Sequence, residues 1–245
     1  MSIPRYLSYA IINHTIDYSL SPRYADFPYY EADPEITLKR YSDDSGKAGL
    51  SYNHIGFNNE LYNSTWRKVM SLAINYSYIL NILEYDNGIR ANSPISPGFG
   101  EAYNASNVAV DYNISTARSI MKSMGFGTTF TTDAEWIAIA EGSNPFLTVN
   151  YTYDLTSAFR TDLYVSLKEW YKLIGIKVEE VNITNFPEYA NRLFYDHEHL
   201  SLYEIGWLPD YLSPFSMLYP LFDPNIGHVF VSPQFLYLCH SKFTR

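Results

Sequence analysis

Cysteine is nearly absent from this chain. The 245 residues include one, Cys239, which excludes an internal disulfide and a cysteine-based metal cluster. Long apolar runs are also absent, because no stretch reaches the roughly 18 apolar residues of a transmembrane helix. Residues 1–15 lack the basic patch and apolar run of a signal peptide. We therefore expect no transmembrane segment, and no export signal is visible in this chain.

Basic residues are the minority charge. The 17 Lys and Arg stand against 26 Asp and Glu, for a formal net charge of −9, which argues against binding nucleic acid through bulk electrostatics. Hydrophobic residues make up 47% of the chain, including 24 Tyr, 14 Phe and 4 Trp. That content fills the core of one large domain or two ordinary ones. Cationic or neutral ligands fit this balance better than polyanions.

Asparagine occurs repeatedly in the pattern Asn-x-Ser/Thr, the acceptor sequence for N-linked glycans. A general abundance of Asn, Ser and Thr explains the pattern as well as an extracytoplasmic life does. The seven asparagines are Asn13, Asn63, Asn75, Asn104, Asn113, Asn150 and Asn182.

The first third of the chain predicts few regular elements. Residues 1–34 show no sustained periodicity. Short strands are predicted at 35–40 and 50–57, with a turn at 41–49 between them. A helix with Ser64 or Thr65 as N-cap is expected to run to about Leu83, and a second is bracketed by Ser115 and Gly125.

The middle of the chain alternates strands and helices. Residues 147–153 alternate apolar and polar side chains, as a half-buried strand does. A helix at 157–174 follows, stopped by Gly175. A strand at 176–181, a helix at 187–194 and a strand at 200–205 come next. This alternation predicts an α/β fold.

The segment after the last of these strands combines an acid with aromatic residues. It reads Gly206-Trp207-Leu208-Pro209-Asp210-Tyr211-Leu212-Ser213-Pro214. Glycine and proline favour a turn here, which would hold Asp210 beside two large aromatic faces. A carboxylate in that setting binds an amine through a charge-assisted hydrogen bond. The alternative is that Asp210 caps a turn and Trp207 belongs to the core.

Several motifs, taken in order, resemble family 5 of the solute-binding proteins of ABC transporters, a group of oligopeptide, dipeptide and nickel receptors. Each motif is short, and the shared order over about residues 33–222 carries the resemblance. The matching segments are Trp66-Arg67-Lys68-Val69-Met70 with Ala73-Ile74-Asn75, Ser93-Pro94-Ile95 with Pro97-Gly98, Tyr112-Asn113 with Ala117-Arg118, Met121 and Gly125-Phe126, Trp170-Tyr171-Lys172 with Gly175-Ile176, and Gly206-Trp207 with Asp210-Tyr211 and Pro214.

The resemblance implies an α/β lobe like that of a type II periplasmic binding protein, with a mixed sheet flanked by helices. Family members are usually about twice this length and close two lobes over the ligand. We expect residues 1–58 to be a remnant of the first lobe with hinge-side strands, residues 59–222 the distal lobe, and residues 223–245 a tail that departs from the family pattern. A gene fragment, a split receptor or a wrong reading frame would produce such a chain.

The resemblance also implies a function and a site. The protein would be the extracytoplasmic substrate-binding component of an ABC importer, at work in the periplasm or at the cell surface, without catalysis or cofactor. Its partners would be a peptide or similar solute, an ABC permease and a separate chain supplying the first lobe. Asp210 aligns with the acid that pairs with the α-amino group of a peptide, and Trp207 and Tyr211 would form walls of the cleft. Glu204 nearby argues against an arginine that binds the ligand's carboxylate there.

Three alternatives stay open. Asp196-His197-Glu198-His199 combines two imidazoles with two acids and motivates nickel or metal-chelate binding, although a solvated loop is the simpler interpretation. Paired carboxylates such as Glu135 with Glu141, or Asp196 with Glu198, would serve a hydrolase, but no nucleophile elbow, HExxH or phosphate-binding loop accompanies them. A degenerate or split receptor lobe would act as a surface interaction protein through its uncovered apolar face.

Overall fold

The structure, a computed structural model, describes residues 3–19, 23–38, 49–196, 199–222 and 236–240. Short 3-10 segments at Tyr24–Asp26 and Pro97–Ala102 and a π turn at Ile79–Leu83 complement the regular elements. The helices are α1 (Ile3–Ile12), α2 (Phe27–Ala32), α3 (Ser64–Leu72), α4 (Tyr76–Tyr78), α5 (Ile114–Ser123), α6 (Asp133–Glu141), α7 (Ala158–Lys172), α8 (Phe186–Tyr195) and α9 (Phe215–Phe222). The strands are β1 (Tyr52–Phe57), β2 (Gly88–Ala91), β3 (Leu147–Asp154), β4 (Ile176–Ile183), β5 (Leu202–Trp207) and β6 (Leu236–His240).

The strands form one mixed sheet in the order β2-β6-β1-β5-β3-β4. β3 runs parallel to β4 and to β5, as expected for strands joined through helices. β1 runs antiparallel to β5 and to β6, and β2 antiparallel to β6. The predicted α/β class with a mixed sheet is confirmed. β6 belongs to the segment interpreted from sequence as a divergent tail, and its backbone pairs with two strands of the sheet.

The main core lies between the sheet and the helices α3, α5, α6 and α7. Its largest fully buried members include Trp136, Tyr151 and Tyr171. A second cluster packs α8 against β5 through Tyr189, Leu193 and neighbours. Burying an aliphatic or aromatic side chain of this size contributes about 1.5–3 kcal/mol. The two clusters fix β5 from both sides, and this strand leads into the predicted binding segment.

Local chemistry explains where the helices begin and end. Asn63, Asn113, Ser157 and Asn185 each accept a backbone N–H of the first helical turn through the side chain. Gly175 follows α7 with a φ of 73°, which suits a residue without a side chain. A Cβ at that position would also meet the Phe146 ring at 2.5 Å. The predicted stop at Gly175 is therefore confirmed for two physical reasons.

Several elements differ from the sequence expectation. Residues 35–38 are not a strand, and most of the predicted turn at 41–49 lies outside the described residues. The long helix predicted from 64 to 83 is broken after Leu72, and Asn75 caps a new turn by accepting from Tyr78 N–H at 3.0 Å. Its N-cap is Asn63 rather than Ser64 or Thr65. An asparagine side chain that accepts a backbone N–H favours a helix cap over a helix interior. This explains both the N-cap at Asn63 and the break before Asn75.

Other elements had no sequence prediction. These are α1, α2, β2, α6, α9 and β6. The start of α6 could have been predicted from the sequence, because Thr132 and Glu135 form a capping box. Among the described helices, none is long and apolar enough to cross a membrane.

Candidate functional site

The predicted binding segment lies between β5 and α9 and is held by hydrogen bonds to the start of that helix. Ser216 is buried, and its Oγ accepts the Asp210 N–H at 2.9 Å. The carbonyl oxygen of Ser216 accepts the indole N–H of Trp207 at 3.0 Å. Ser213 caps the helix by accepting the Phe215 N–H at 3.2 Å. The segment is therefore a turn fixed at both ends, as the glycine and proline residues predict.

Trp207 is half-buried. One part of it packs against a small apolar cluster around Tyr52, Ile95 and Met217. The alternative interpretation of Trp207 as a core residue is thus correct for part of the ring, while the remainder reaches the surface. A tryptophan with its N–H bonded and its ring seated in this way presents a fixed aromatic wall.

Asp210 and Tyr211 are exposed. Tyr211 keeps 54% of its surface accessible. Within the described part of the chain, the Asp210 carboxylate has no hydrogen bond or ion pair, while its backbone N–H is held by Ser216. The carboxylate is neither inside the packed interior nor committed to a turn, and it is available to a cation. Trp207, Asp210 and Tyr211 lie in the same turn because they are close in the sequence.

The segment and α9 expose further apolar side chains next to the acid. Phe215 and Tyr219 stack with their ring centroids 4.5 Å apart. The large apolar residues exposed here are Leu208, Tyr211, Leu212, Phe215, Leu218 and Tyr219. Apolar residues concentrated in a short stretch of surface are typical of an interaction site.

Gly206 at the end of β5 lies close to a side chain of the paired strand. A Cβ on Gly206 would lie 2.4 Å from Oδ1 of Asn53 on β1, while the nearest backbone atom, the Tyr52 oxygen, is 3.8 Å away. A side chain at this position therefore requires the Asn53 amide to move. The glycine that precedes Trp207 in the motif leaves room for that amide.

Sequence reasoning missed a buried ionic cluster that includes Glu204 of β5, the strand that precedes the segment. Arg160 on α7 donates from Nη1 to Asp154 at 2.6 Å and from Nε to Glu204 at 2.8 Å. The Tyr189 hydroxyl donates to the Glu204 carbonyl at 2.6 Å. The side chains of Asp154 and Glu204 are 0% and 2% exposed. The cluster ties β5 to α7, to β3 and to α8.

The charges in this cluster are set by burial and pairing. Burial raises the pKa of Glu204, although Arg160 beside it lowers that pKa. Burial lowers the pKa of the Arg160 guanidinium, but Glu204 and other neighbours raise it overall. The sequence argument from Glu204 concerned an arginine that binds the ligand's carboxylate, and Arg160 pairs instead with carboxylates of the protein; that argument stays a prediction. Because Nε and Nη1 of Arg160 are committed to carboxylates of the protein, they position β5 and do not face a ligand.

Glu135 and Glu141, the carboxylate pair considered for a hydrolase, have structural contacts. Glu135 accepts the N–H groups of Thr131 and Thr132 at 2.7 and 2.8 Å. These bonds lower its pKa and fit a helix cap rather than an acid catalyst. Glu141 pairs with Lys172 at 2.8 Å.

The predicted metal-binding segment is described only in part. Asp196 pairs with Nδ1 of His199, while His197 and Glu198 lie outside the described residues. Across the described residues, no group of three or more His, Cys, Asp or Glu side chains has an arrangement that holds a metal ion.

Two cavities lie away from Asp210. One of about 520 Å³ is bordered by α6, α7 and β4 and mixes lysines with glutamates, among them Lys168, Lys177 and Glu180. The other, of about 380 Å³, lies among residues 11–19 and 30–38. Neither contains a residue of the segment 206–214.

The chain is similar to a known protein family and to several solved structures. The family model described as bacterial extracellular solute-binding proteins, family 5 Middle, matches residues 7–228. No curated protein matches the chain. Among solved structures, the periplasmic binding protein DppA of Helicobacter pylori, in complex with the peptide STSA, is similar with a TM-score of 0.71 at 18% identity, over 89% of this chain and 38% of that one.

Two further structures share the fold. The oligopeptide-binding protein AppA of Bacillus subtilis, in complex with a nonapeptide, has a TM-score of 0.67 at 19% identity, over 93% of this chain and 43% of that one. NikZ of Campylobacter jejuni, in complex with Ni(L-His), has a TM-score of 0.68 at 19% identity, over 91% and 41%. The chain therefore spans about two fifths of the length of these proteins.

Proposed function

The chain belongs to the bacterial extracellular solute-binding proteins of family 5, and from this premise we propose that it is the substrate-binding component of an ABC importer for peptides or similar oligomeric solutes. Family 5 proteins are generally receptors rather than enzymes. We further propose that it acts outside the cytoplasm and delivers its solute to a membrane permease. Residues 59–222 would serve as the distal lobe, with residues 1–58 as the hinge-side part of a first lobe.

One observation carries this proposal: Asp210 has an exposed carboxylate, unpaired within the described residues, in the same short turn as the fixed ring of Trp207 and the exposed ring of Tyr211. An α-ammonium group bonded to that carboxylate would gain about 0–1 kcal/mol while the site is exposed and about 1.5–3 kcal/mol once water is excluded. The aromatic rings add apolar area and a cation–π contact of about 0.5–1 kcal/mol at an exposed site. Recognition of the amino group does not select among the side chains of the peptide, which suits a receptor for varied peptides.

The same geometry sets the affinity of the chain alone. Asp210 is exposed to water, which competes for the ammonium and screens the charge. A second lobe that closes over the segment would exclude this water and strengthen the bond. We therefore expect weak binding by the isolated chain and tighter binding once a chain supplying the first lobe is added.

A titration with short peptides tests the proposal. The indole N–H resonance of Trp207, assigned through Trp207→Phe, should shift on addition of trialanine. N-acetylated trialanine should shift it much less because the acetyl group removes the positive charge. Asp210→Asn should weaken trialanine binding, by about tenfold or more when an added first-lobe chain excludes water from the site.

The matched control is Asp162→Asn, which changes an exposed acid on α7 and should leave trialanine binding unchanged. Unchanged binding of trialanine by a folded Asp210→Asn variant would refute the assigned role of Asp210. An absence of any shift in the wild-type chain, with and without a first-lobe chain, would refute peptide binding itself.

A second candidate function is favoured by the exposed apolar side chains of residues 208–219. In a split or degenerate receptor, this surface would bind another protein chain rather than a solute. Sedimentation velocity distinguishes the two cases. Self-association that Leu212→Ser and Phe215→Ser abolish would support the interaction function, and a clean monomer at all concentrations would contradict it.

A further inference from the structure

The seven Asn-x-Ser/Thr sequences are placed very differently by the fold. Three of the asparagines begin helices. The side-chain oxygens of Asn63, Asn75 and Asn113 accept backbone N–H groups of α3, α4 and α5. The two residues that complete each of these sequences are already helical, so all three sequences are committed to regular structure in the folded chain.

Two more lie in the sheet and one follows α1. Asn150 and Asn182 belong to β3 and β4, and the hydroxyl residue that follows Asn150, Thr152, is 1% exposed. Asn13 donates its side-chain amide to the Tyr9 carbonyl at 2.8 Å. The partner hydroxyl of that sequence, on Thr15, donates to the Ala10 carbonyl at 3.0 Å. In each case the backbone or the hydroxyl is already committed to regular structure.

Asn104 differs from the other six. It lies between the 3-10 segment 97–102 and α5, and residues 104–108 are all exposed and outside helices and strands. The Asn104 Oδ1 accepts both the backbone N–H of Ser106 at 3.0 Å and its hydroxyl at 2.7 Å. The turn thus brings the hydroxyl of the sequence to the amide that it serves. The remaining polar contact of the amide is a 3.3 Å bond from Nδ2 to Asn107.

We infer that Asn104 is the site at which the folded chain accepts an N-linked glycan. Hydrogen bonds to Oδ1 make the amide N–H more acidic, so a base of the transferase removes one proton more readily and Nδ2 can attack. Nδ2 forms a bond to the anomeric carbon of a sugar carried on a lipid pyrophosphate. The bond from that carbon to the pyrophosphate oxygen breaks, the lipid pyrophosphate leaves with the electron pair, and the amide loses one proton to a base of the transferase.

The inference rests on the proposed location outside the cytoplasm, where such transfer takes place, but not on peptide binding. An exposed loop is also the place where a bulky, soluble group is tolerated without disturbing the core. A glycan there would extend into solvent next to Val108, which is 91% exposed.

The test uses the purified folded chain with an oligosaccharyltransferase that requires only Asn-x-Ser/Thr and a lipid-pyrophosphate oligosaccharide. Mass spectrometry of proteolytic peptides should find the glycan on Asn104 before any other asparagine. Asn104→Gln should remove this modification, as should Ser106→Ala, which keeps the asparagine but removes the hydroxyl. Ser106→Thr should restore it. The matched control, Asn107→Gln, alters the neighbouring loop asparagine and should leave Asn104 modified.

Circular dichroism of each variant establishes that the fold is intact. The denatured chain serves as the second measurement, because there the selection of Asn104 over the other sequences should disappear. Modification of another asparagine ahead of Asn104 in the folded chain, or no modification of Asn104 at all, would overturn the inference. The trialanine titration of the same sample reports the proposed receptor function separately, so the two failures are distinguishable.

Discussion

Replacing Arg160 by methionine tests whether the buried ionic cluster positions β5. The substitution removes the guanidinium that lies 2.6 Å from Asp154 and 2.8 Å from Glu204. Methionine retains most of the aliphatic stem, so the lost contribution is chiefly charge and hydrogen bonding. Both carboxylates then remain buried without their cation.

The size of the effect follows from that burial. Removing one partner of a buried pair costs about 3–5 kcal/mol, because an uncompensated charge stays in the interior. Here one arginine serves two carboxylates, so the upper part of that range is expected at pH 7. A domain of ordinary stability has about 5–15 kcal/mol in total. The variant should therefore be folded but strongly destabilised.

Urea denaturation followed by circular dichroism measures the change. Lys172→Met is the control, since it also removes a cation that serves two acids, Glu141 and Glu169, both more than half exposed. Exposed pairs of this kind contribute about 0–1 kcal/mol. The contrast between the two variants isolates the effect of burial.

The loss in the Arg160 variant should also depend on pH. Without the guanidinium, the folded-state pKa of Glu204 rises further above its unfolded value, so the variant regains stability as pH falls and the carboxylate is protonated. The deficit relative to wild type should be smaller at pH 4.5 than at pH 8. A loss below about 1 kcal/mol at pH 7, equal to that of Lys172→Met, would refute the reasoning.

Three further outcomes are expected. Burial and the charge of Glu204 raise the pKa of Glu84 to about 8. The stability that its bound proton contributes is therefore full below about pH 4.5 and is lost as pH rises through 8. In urea denaturation, Glu84→Gln should remove this dependence of stability on pH, and the exposed control Glu60→Gln should not. Burial lowers the pKa of His54 to about 3, so its contribution is full above about pH 6.5 and is lost as pH falls, by about 2 kcal/mol at pH 5; an acid titration of His54→Gln that keeps the wild-type slope would contradict this. Gly56→Ala would place a Cβ 2.2 Å from Cζ of Tyr203 and should cost about 1–3 kcal/mol, a penalty that a double-mutant cycle with Tyr203→Leu should relieve; additive losses would show that the two residues are independent.

Much of the fold follows from local patterns. The alternation at 147–153 predicts β3, the apolar spacing and Gly175 predict α7 and its end, and both agree with the structure. The region before residue 35 is different, because neither α1 nor α2 was predicted, although Leu7, Ala10 and Ile11 of α1 recur at helical spacing. The long helix predicted to Leu83 was wrong because the apolar spacing continues through Asn75, where a side-chain cap starts a new turn.

The candidate site divides in the same way. Trp207, Asp210 and Tyr211 are close in sequence, and their types alone predict an acid among aromatic rings. Sequence could not show that Ser216 holds both Trp207 and the Asp210 backbone, since this depends on how α9 returns towards β5. Nor could it show that the carboxylate is exposed and unpaired within the described structure.

The sequence by itself determined the family, the α/β class and the identity of most helices and strands after residue 50, because hydrophobic periodicity, caps and turn residues act over a few positions. Tertiary structure alone decided the strand order, the entry of β6 between β2 and β1, and the pairing of Arg160 with Glu204, 44 positions away. Such contacts depend on which surfaces the chain brings together when it buries its apolar faces. Local sequence does not specify that choice, and the position of residues 206–214 relative to the sheet follows from it.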